Sequence, residues 1–336
     1  MTESNQTQER LPAPRRSSIS IVQVLENYAL LILTALVFIF FTVNPASATA
    51  FPTVANLNVI LGSQAVVSMI ALAALFPLVA GYFDFSLGAI AAMAQVATAG
   101  LMANAHAPFW VAVLVPILGG GAIGALNGVL VTRFRMSPIV TTLGVSILIA
   151  GLIQWYTGGQ SIVSGIDPAI MKFGSSRLFG LPTVVFVVLA VAIAAWYFFT
   201  HTPFGRSLYA IGSNVSSAKL VGIRVDRNVW WTFVLAGLIS GGAGVMQLSR
   251  QGSASAGDGS PLLFAALAAV FLGATAITPG FFNVVGTIVG ALFVSIAVSG
   301  LTLSGASGWA APVFNGLALL IAVGLSTYLG RRKRRF

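Results

Sequence analysis

The stretch YALLILTALVFIFFTV, residues 28–43, is an apolar run without a single charged side chain. A helix that crosses a bilayer needs about 20 mostly apolar residues, and it must satisfy its own backbone because lipid offers no hydrogen-bond partners. The run lacks the alternation of apolar and polar residues that the strands of a membrane barrel require. Residues 28–43 therefore predict a membrane-spanning helix, and the same pattern recurs along the chain.

The composition of the whole chain agrees with a lipid environment. Of 336 residues, 57% are hydrophobic and 7% are charged, and the mean hydropathy is +0.95. Soluble domains carry about 25% charged residues, so packing in water could not hide this much apolar surface. The predicted fold class is all-α, a polytopic membrane helix bundle.

About ten transmembrane helices are predicted. The second and third are separated only by the turn at Gly81–Asp84, and the eighth ends in a polar stretch with Pro279 and Gly280. We divide the chain into a polar N-terminal segment 1–27, a transmembrane domain 28–329 and a basic tail 330–336. The predicted spans lie near residues 28–45, 58–80, 84–104, 109–131, 138–157, 182–200, 229–249, 261–277, 284–304 and 312–329.

The distribution of basic residues predicts the orientation. With ten spans and a cytoplasmic N-terminus, fourteen of the seventeen Lys and Arg residues lie on the cytoplasmic side, as the positive-inside rule requires. Both termini are therefore predicted to be cytoplasmic. The net charge of +10 is explained by these short clusters between apolar runs, so we expect a lipid bilayer and no nucleic acid as the partner.

Several kinds of chemistry are missing from the sequence. The chain has no cysteine and no phosphate-binding loop of the Gly-x-x-x-x-Gly-Lys-Ser/Thr type. Its two histidines, His106 and His201, fall in predicted loops on opposite membrane faces and cannot share a metal. We therefore expect no metal site, no bound cofactor and no enzymatic activity in this chain.

Asp84 is the one acidic residue predicted close to a span interior. Ion-coupled carriers usually need ionisable groups at membrane depth, so this count argues against ion coupling. The simplest interpretation of Asp84 is an N-cap that opens the third span. The segment around it, residues 83–90, has a faint echo at residues 282–288, which predicts related turns before two parallel helices.

The loop at residues 201–228 contains TPFGRSLYAIGSN at 202–214 and AKLVGI at 218–223. It resembles the cytoplasmic loop of the membrane permeases of ribose-type ABC sugar importers, which has the form T-x-x-G-R-x-x-Y-A-I-G-x-N-x-x-x-A-x-x-x-G-I. GYFDFSLGAI at 81–90 and GALNGVLVTRFRMSPIVTTLG at 124–144 resemble further segments of that family in the same order. The resemblance runs from about residue 55 to residue 325, and its superfamily includes the branched-chain amino acid permeases.

The resemblance implies a multi-pass permease of the bacterial inner membrane. It implies a second permease subunit, in a homodimer or heterodimer, a cytoplasmic ATPase subunit that holds the ATP, and a periplasmic solute-binding protein. A short helix near residues 216–221, bounded by Gly212 and Gly222, would couple the permease to the ATPase. The residues that the resemblance assigns to this coupling are Arg206, Tyr209, Gly212, Asn214, Ala218, Gly222 and Ile223.

The translocation pathway is predicted from small and polar side chains within the spans. The candidates are Asp84, Ser86, Gly88, Asn127, Thr141 and Thr142. Such side chains could meet sugar hydroxyls, or they could hold helices together, and the sequence leaves both open. It also leaves open a same-superfamily permease for branched-chain amino acids or nucleosides, and an ion-coupled secondary carrier. In place of the family's Gly-Gly run after the eighth span, the sequence has GATAITPG at 273–280.

Overall fold

A computed structural model describes residues 21–333 of the chain, with side chains for residues 27–255 and 257–325. Residues 1–20 and 334–336, which include most of the predicted polar segment and the end of the basic tail, lie outside the described residues. The described elements, in chain order, are α1 (Ile21–Val43), α2 (Val54–Val79), α3 (Leu87–Ala103), α4 (Phe109–Thr132), α5 (Pro138–Thr157), α6 (Pro168–Ser175), β1 (Arg177–Leu178), β2 (Leu181–Pro182), α7 (Thr183–His201), α8 (Pro203–Ser213), α9 (Val215–Leu220), α10 (Val225–Gln251), a 3-10 turn (Ala256–Asp258), α11 (Gly259–Gly273), α12 (Val284–Leu303) and α13 (Ala310–Lys333).

Six of the described helices are long and apolar enough to cross a membrane, judged by length and composition: α2, α4, α5, α7, α10 and α12. Shorter apolar stretches occur at Asn27–Val43, Leu87–Ala103, Gly259–Gly273 and Ala310–Leu325. Each predicted span thus coincides with an apolar helix. The part of the chain that the structure describes is a polytopic membrane helix bundle, and its only paired strands are the short hairpin β1–β2.

Several element limits differ from the predicted ones. α1 begins at Ile21, within the segment predicted as polar, and α2 begins at Val54 because Thr53 accepts a hydrogen bond from the Asn56 N–H. α3 begins at Leu87 rather than near residue 84, and Ser86 takes the N-cap position. The predicted 201–228 loop contains two helices, α8 and α9, rather than one.

The bundle is built around α2. Every residue from Gln64 to Ala80 is buried, and α10, α11, α12 and α7 pack around α2, with a smaller contact from α3. α4, α5 and the outer face of α7 expose large apolar side chains such as Leu118, Ile147 and Ile193. In a bilayer such side chains face lipid tails, which are as apolar as they are.

Glycines allow α4 and α10 to pack closely. A Cβ at Gly124 of α4 would fall against the Phe233 carbonyl of α10, and a Cβ at Gly237 of α10 would fall against the Gly120 carbonyl of α4. Small residues of this kind let helix backbones approach closely in membranes, where packing replaces the hydrophobic effect as the driving force.

The two ends of the bundle carry different connections. At one end, here called the α8 end, α8 packs on the last turn of α2, and Arg135 pairs with Asp226 at the start of α10, with oxygen–nitrogen distances of 3.0 and 2.9 Å. At the other, the α6 end, Gly174 of α6 packs on the Ser249 backbone of α10. The connection after α5 and the one after α10 are also paired there, through a bridge between Ile162 and Ala254.

Candidate functional site

The first candidate site is the pair of helices α8 and α9, whose limits follow from local sequence. The Thr202 hydroxyl accepts a hydrogen bond from the Gly205 N–H, and Pro203 occupies the first turn of α8. The Asn214 side chain then caps α9. Gly222 follows with φ of +83°, a conformation that favours glycine after a helix.

α8 lies against the connection between α2 and α3. Its Leu208 and Ile211 side chains are fully buried. Gly212 sits so close to the Val79 carbonyl of α2 that a Cβ would collide with it, and its Cα also approaches Gly81. Gly212 is therefore a packing residue inside α8, and the prediction that it bounds the short helix is wrong.

Tyr209 links α8 to the connection between α11 and α12. Its hydroxyl donates a hydrogen bond to the Phe282 carbonyl at 2.9 Å, in the connection between α11 and α12. Burial raises the pKa of the Tyr209 hydroxyl above its usual value, so the hydroxyl stays protonated and remains a donor. α8 thus contacts both the α2–α3 connection and the α11–α12 connection.

Aromatic rings join these two connections directly. The Phe83 ring lies 6.1 Å from the Phe271 ring in a stacked arrangement, and Phe271 lies 5.3 Å from Phe282 in an edge arrangement. These separations fall within the ~4.5–7 Å range in which aromatic pairs attract. The segments at 83–90 and 282–288 that echo each other in sequence therefore both begin helices beside α8.

The predicted coupling residues divide into two groups. Arg206, Asn214 and Gly222 are exposed, whereas Tyr209, Gly212 and Ile223 are partly buried and Ala218 is only 3% exposed. The partly buried and buried residues hold α8 and α9 on the bundle. Of these, Ala218 is covered by its neighbours in the same chain, whereas Ile223 also lines a cavity at the surface.

Two residues that the sequence analysis did not select stand out beside them. Leu220 and Val221, at the end of α9, are 88% and 76% exposed. Their apolar character within an otherwise polar loop is the sequence signal that could have identified them. Next to them lies a cavity of about 420 Å³ lined by Phe204, Ser207, Val221, Gly222, Ile223, Arg224, Arg227, Asn228 and Trp231.

The second candidate site is a buried polar cluster at the α8 end. The Asn127 side chain donates to the Ser86 hydroxyl at 2.8 Å, and that hydroxyl donates to the Asp84 carboxylate at 2.6 Å. The Phe85 N–H donates to the Thr142 hydroxyl at 3.0 Å. Four of the six predicted pathway residues therefore meet in one cluster, which ties the α2–α3 connection to α4 and α5.

The other two predicted pathway residues lie nearby. Thr141 is buried, and its hydroxyl has no partner among the described residues. Gly88 touches the Gly259 backbone of α11. Asp84 is not the N-cap of α3: it stands two residues earlier, and its carboxylate accepts the Ser86 N–H at 2.9 Å. The burial of all six favours the alternative in which these residues hold helices together.

A further polar region at the α6 end was not selected from the sequence. The Gln95 amide donates to the Gln251 side chain, the Ser253 carbonyl and the Asp258 carboxylate at 2.9, 2.9 and 3.0 Å. A cavity of about 400 Å³ lies beside it. Within the described residues, no three His, Asp or Glu side chains come together to hold a metal.

Comparison with known proteins identifies the family. Residues 56–323 match the family described as branched-chain amino acid transport system / permease component. The chain is 32% identical to the ribose import permease protein RbsC of Escherichia coli (strain K12) over 306 residues, which cover 89% of this chain and 93% of that protein. No solved structure gives a significant match.

Other relatives are similar over comparable lengths. The ribose import permease protein of Bacillus subtilis (strain 168) is 33% identical over 80% of this chain and 83% of its own. The L-arabinose transport system permease protein of Escherichia coli (strain K12) is 28% identical over 95% of this chain and 96% of its own. The matched region contains both candidate sites at the α8 end. The chain belongs to the family of branched-chain amino acid transport system permease components.

Proposed function

We propose that the chain is the transmembrane permease subunit of an ATP-binding-cassette importer that carries a monosaccharide across the bacterial inner membrane. The observation that carries the mechanism is α8, which contacts the α2–α3 connection through Gly212 and the α11–α12 connection through Tyr209. The relatives named for ribose, allose and arabinose support a sugar as the solute.

The proposed topology has ten spans and cytoplasmic termini. The ten apolar helices each match one span, and the α8 end then faces the cytoplasm. Arg133, Arg135, Arg206, Lys219, Arg224 and Arg227 lie at that end. Lys172 and Arg177 lie in the α6 region on the opposite side, so the basic residues are distributed as the positive-inside rule predicts.

The proposed contact with the ATPase is the exposed end of α9. Leu220 and Val221 would enter an apolar groove on the ATPase subunit. The basic side chains beside them, Lys219 in α9 and Arg224 and Arg227 in the wall of the adjacent cavity, would meet acidic groups at its rim. Exposed apolar side chains rimmed by polar ones commonly mark protein interaction sites. ATP would bind to that partner, so this chain needs no cofactor of its own.

Movement of α9 would be passed through α8. Gly212 packs against the last turn of α2, and the Tyr209 hydroxyl donates a hydrogen bond to the carbonyl of Phe282, which precedes α12. The stacked Phe83 and Phe271 rings join the two connections, so they would move together. We propose that a second permease subunit completes the pore and that a periplasmic binding protein delivers the solute to the α6 end.

Co-purification with the ATPase subunit tests the contact. The variant Leu220→Ser removes the exposed apolar side chain, and we expect loss of bound ATPase and of ATP-driven uptake. Phe179→Ser is the matched control, because Phe179 is 89% exposed but lies in the hairpin at the opposite end. Equal ATPase recovery from both variants would contradict the assignment of α9.

Reconstitution into liposomes tests the energy source and the solute. We expect uptake of D-ribose, D-allose or L-arabinose only when the ATPase, the binding protein and ATP are present. Uptake that persists without the ATPase and is abolished when the proton gradient is collapsed would favour a secondary carrier. Uptake of L-leucine or adenosine in place of the sugars would favour the amino acid or nucleoside alternative.

A further inference from the structure

A cavity of about 400 Å³ lies between α2, α10, α11, α12 and α13 toward the α6 end. Its volume falls within the ~300–1,000 Å³ range of small-molecule sites. The polar part of its wall contains amides, hydroxyls and one guanidinium, and the apolar part contains short aliphatic side chains. Its polar lining residues include Gln64, Gln247, Arg250, Gln251, Ser295 and Asn315.

Three buried polar atoms in this wall have no hydrogen-bond partner among the described residues. They are Nε2 of Gln64, Nε of Arg250 and Oδ1 of Asn315. The Gln64 side chain belongs to a residue that is only 6% exposed. Buried polar groups are nearly always paired, and an unpaired one is most unfavourable in a membrane interior. One cavity therefore contains two hydrogen-bond donors and one acceptor that are unpaired among the described residues.

The chain holds Arg250 at the edge of this cavity. Its Nη1 donates to the Gly174 carbonyl of α6 at 3.0 Å. Its guanidinium carbon lies only 2.7 Å from the position that a Cβ would occupy at Gly62, so glycine at that position makes room for it. Arg250 forms no ion pair, since the one ion pair among the described residues joins Arg135 and Asp226.

We propose that this cavity is a contact site for a neutral polyhydroxylated solute during import. The inference deepens the proposed function and rests on it. Amides and hydroxyls can donate to and accept from solute hydroxyls, and Val66, Val67, Leu262 and Val298 offer an apolar surface for C–H groups. The wall contains no carboxylate to pair with an ammonium group, and the Arg250 guanidinium can donate to solute hydroxyls.

The position of the cavity fits solute entry. In the proposed topology the α6 end faces the periplasm, where the binding protein would release its solute. Five of the six pathway residues predicted from sequence lie toward the α8 end, and Gly88 lies against Gly259 at the start of α11; all six are buried between helices.

Transport kinetics of the complete transporter test the site. We expect Gln64→Met and Asn315→Leu each to lower kcat/KM for the transported sugar by about five- to tenfold, because each removes a hydrogen bond to the solute. Thr98→Val is the control: Thr98 is buried, bonds only its own helix, and does not line the cavity. Unchanged kinetics in both cavity variants would refute the proposal.

Cysteine protection gives a second readout that does not depend on ATP hydrolysis. The natural chain contains no cysteine, so Gln247→Cys places a single thiol in the cavity wall and Thr302→Cys places one outside it. D-ribose, D-allose or L-arabinose, whichever is transported, should slow labelling of the first thiol by a membrane-impermeant reagent at least threefold and leave the second unchanged. Protection by L-leucine instead would refute the preference for hydroxylated solutes.

The two experiments separate failure of the site from failure of the proposed function. ATP-dependent uptake with unchanged variant kinetics and no protection would refute the site alone. Sugar protection combined with ATP-independent uptake would refute the ATPase-coupled function and support the site.

Discussion

Buried amide side chains have different roles in the two halves of the bundle. The Asn127 amide nitrogen donates to Ser86, although Asn127 Oδ1 and Asp84 Oδ2 have no partner among the described residues. The Gln64 amide nitrogen, which also has no partner there, lines a cavity. The first arrangement stabilises the protein, because a hydrogen bond made in a low dielectric replaces one made to water. The second leaves bonding capacity for a solute. Residue type alone does not distinguish these two cases.

Asn127→Leu should therefore destabilise the protein. The substitution leaves the Ser86 hydroxyl without its donor, and we expect the free energy of unfolding to fall by about 1–2 kcal/mol. Thermal unfolding in detergent, followed by circular dichroism, measures the effect. Asn104→Leu is the control, since the Asn104 hydrogen bond to Tyr156 is exposed. Equal shifts in the two variants would show that the Asn127 hydrogen bond contributes nothing.

Tyr209→Phe should weaken coupling without unfolding α8. It removes the hydrogen bond to the Phe282 carbonyl and keeps the ring contact with Phe199, at 6.1 Å. We expect transport per ATP hydrolysed to fall about two- to tenfold, which corresponds to one lost hydrogen bond. Uptake and ATPase rates measured in the same proteoliposomes give this ratio. Tyr197→Phe, at an exposed position of α7, should leave the ratio unchanged; if both variants lower it alike, Tyr209 has no special role.

At the scale of whole helices, side-chain size decides which helices meet. α4 and α10 approach through Gly120, Gly124 and Gly237, while α5 places Gly144 and Gly151 where nothing lies within 4 Å. From the sequence alone, these five glycines cannot be told apart, because all of them lie within apolar helices. The contact is specific because a Cβ on one helix would collide with a backbone carbonyl of the other, and backbone atoms cannot move aside cheaply.

Gly124→Val should separate α4 from α10. The added side chain collides with the Phe233 carbonyl, and we expect a loss of about 3 kcal/mol in stability, seen as a reduced monodisperse fraction in size-exclusion chromatography. Gly144→Val adds the same side chain on the outer helix α5 and should leave that fraction unchanged. A normal elution profile for Gly124→Val would contradict the close approach of the two helices.

At the scale of the whole molecule, the proposed orientation decides which end meets which partner. The α8 end carries the exposed α9 tip, and the α6 end carries the cavity lined by Gln64, Arg250 and Asn315. An importer needs these features on opposite sides, because solute arrives outside and ATP is hydrolysed inside. The charge distribution supplies this orientation.

Labelling of single cysteines tests the orientation directly. Ser164→Cys lies in the exposed connection between α5 and α6, and we expect a membrane-impermeant maleimide to label it in intact spheroplasts. A cysteine placed beside Lys333 should react only after the membrane is permeabilised. External labelling beside Lys333 would contradict ten spans with cytoplasmic termini.

Much of the architecture was predictable from sequence. Each apolar run of suitable length became a helix because a backbone surrounded by lipid must satisfy its own hydrogen bonds. The pattern of residues 202–223 predicted a short helix near 216–221, and α9 occupies Val215–Leu220; its N-terminal boundary is the Asn214 cap and not Gly212. α8 was missed, since its apolar residues Leu208 and Ile211 are too few to distinguish a short amphipathic helix from a loop.

The sequence by itself determined the solvent, the long apolar helices and the family, because these depend on local hydropathy and on motifs within single segments. Only the tertiary structure decided that Tyr209 and Gly212 face inward, that Leu220 and Val221 face outward, and that Asp84 and Asn127 form a packing cluster. It alone brought Gln64, Arg250 and Asn315 to one cavity. Those residues are far apart in the chain, and the packing of five helices, which no local pattern encodes, sets the distances between them.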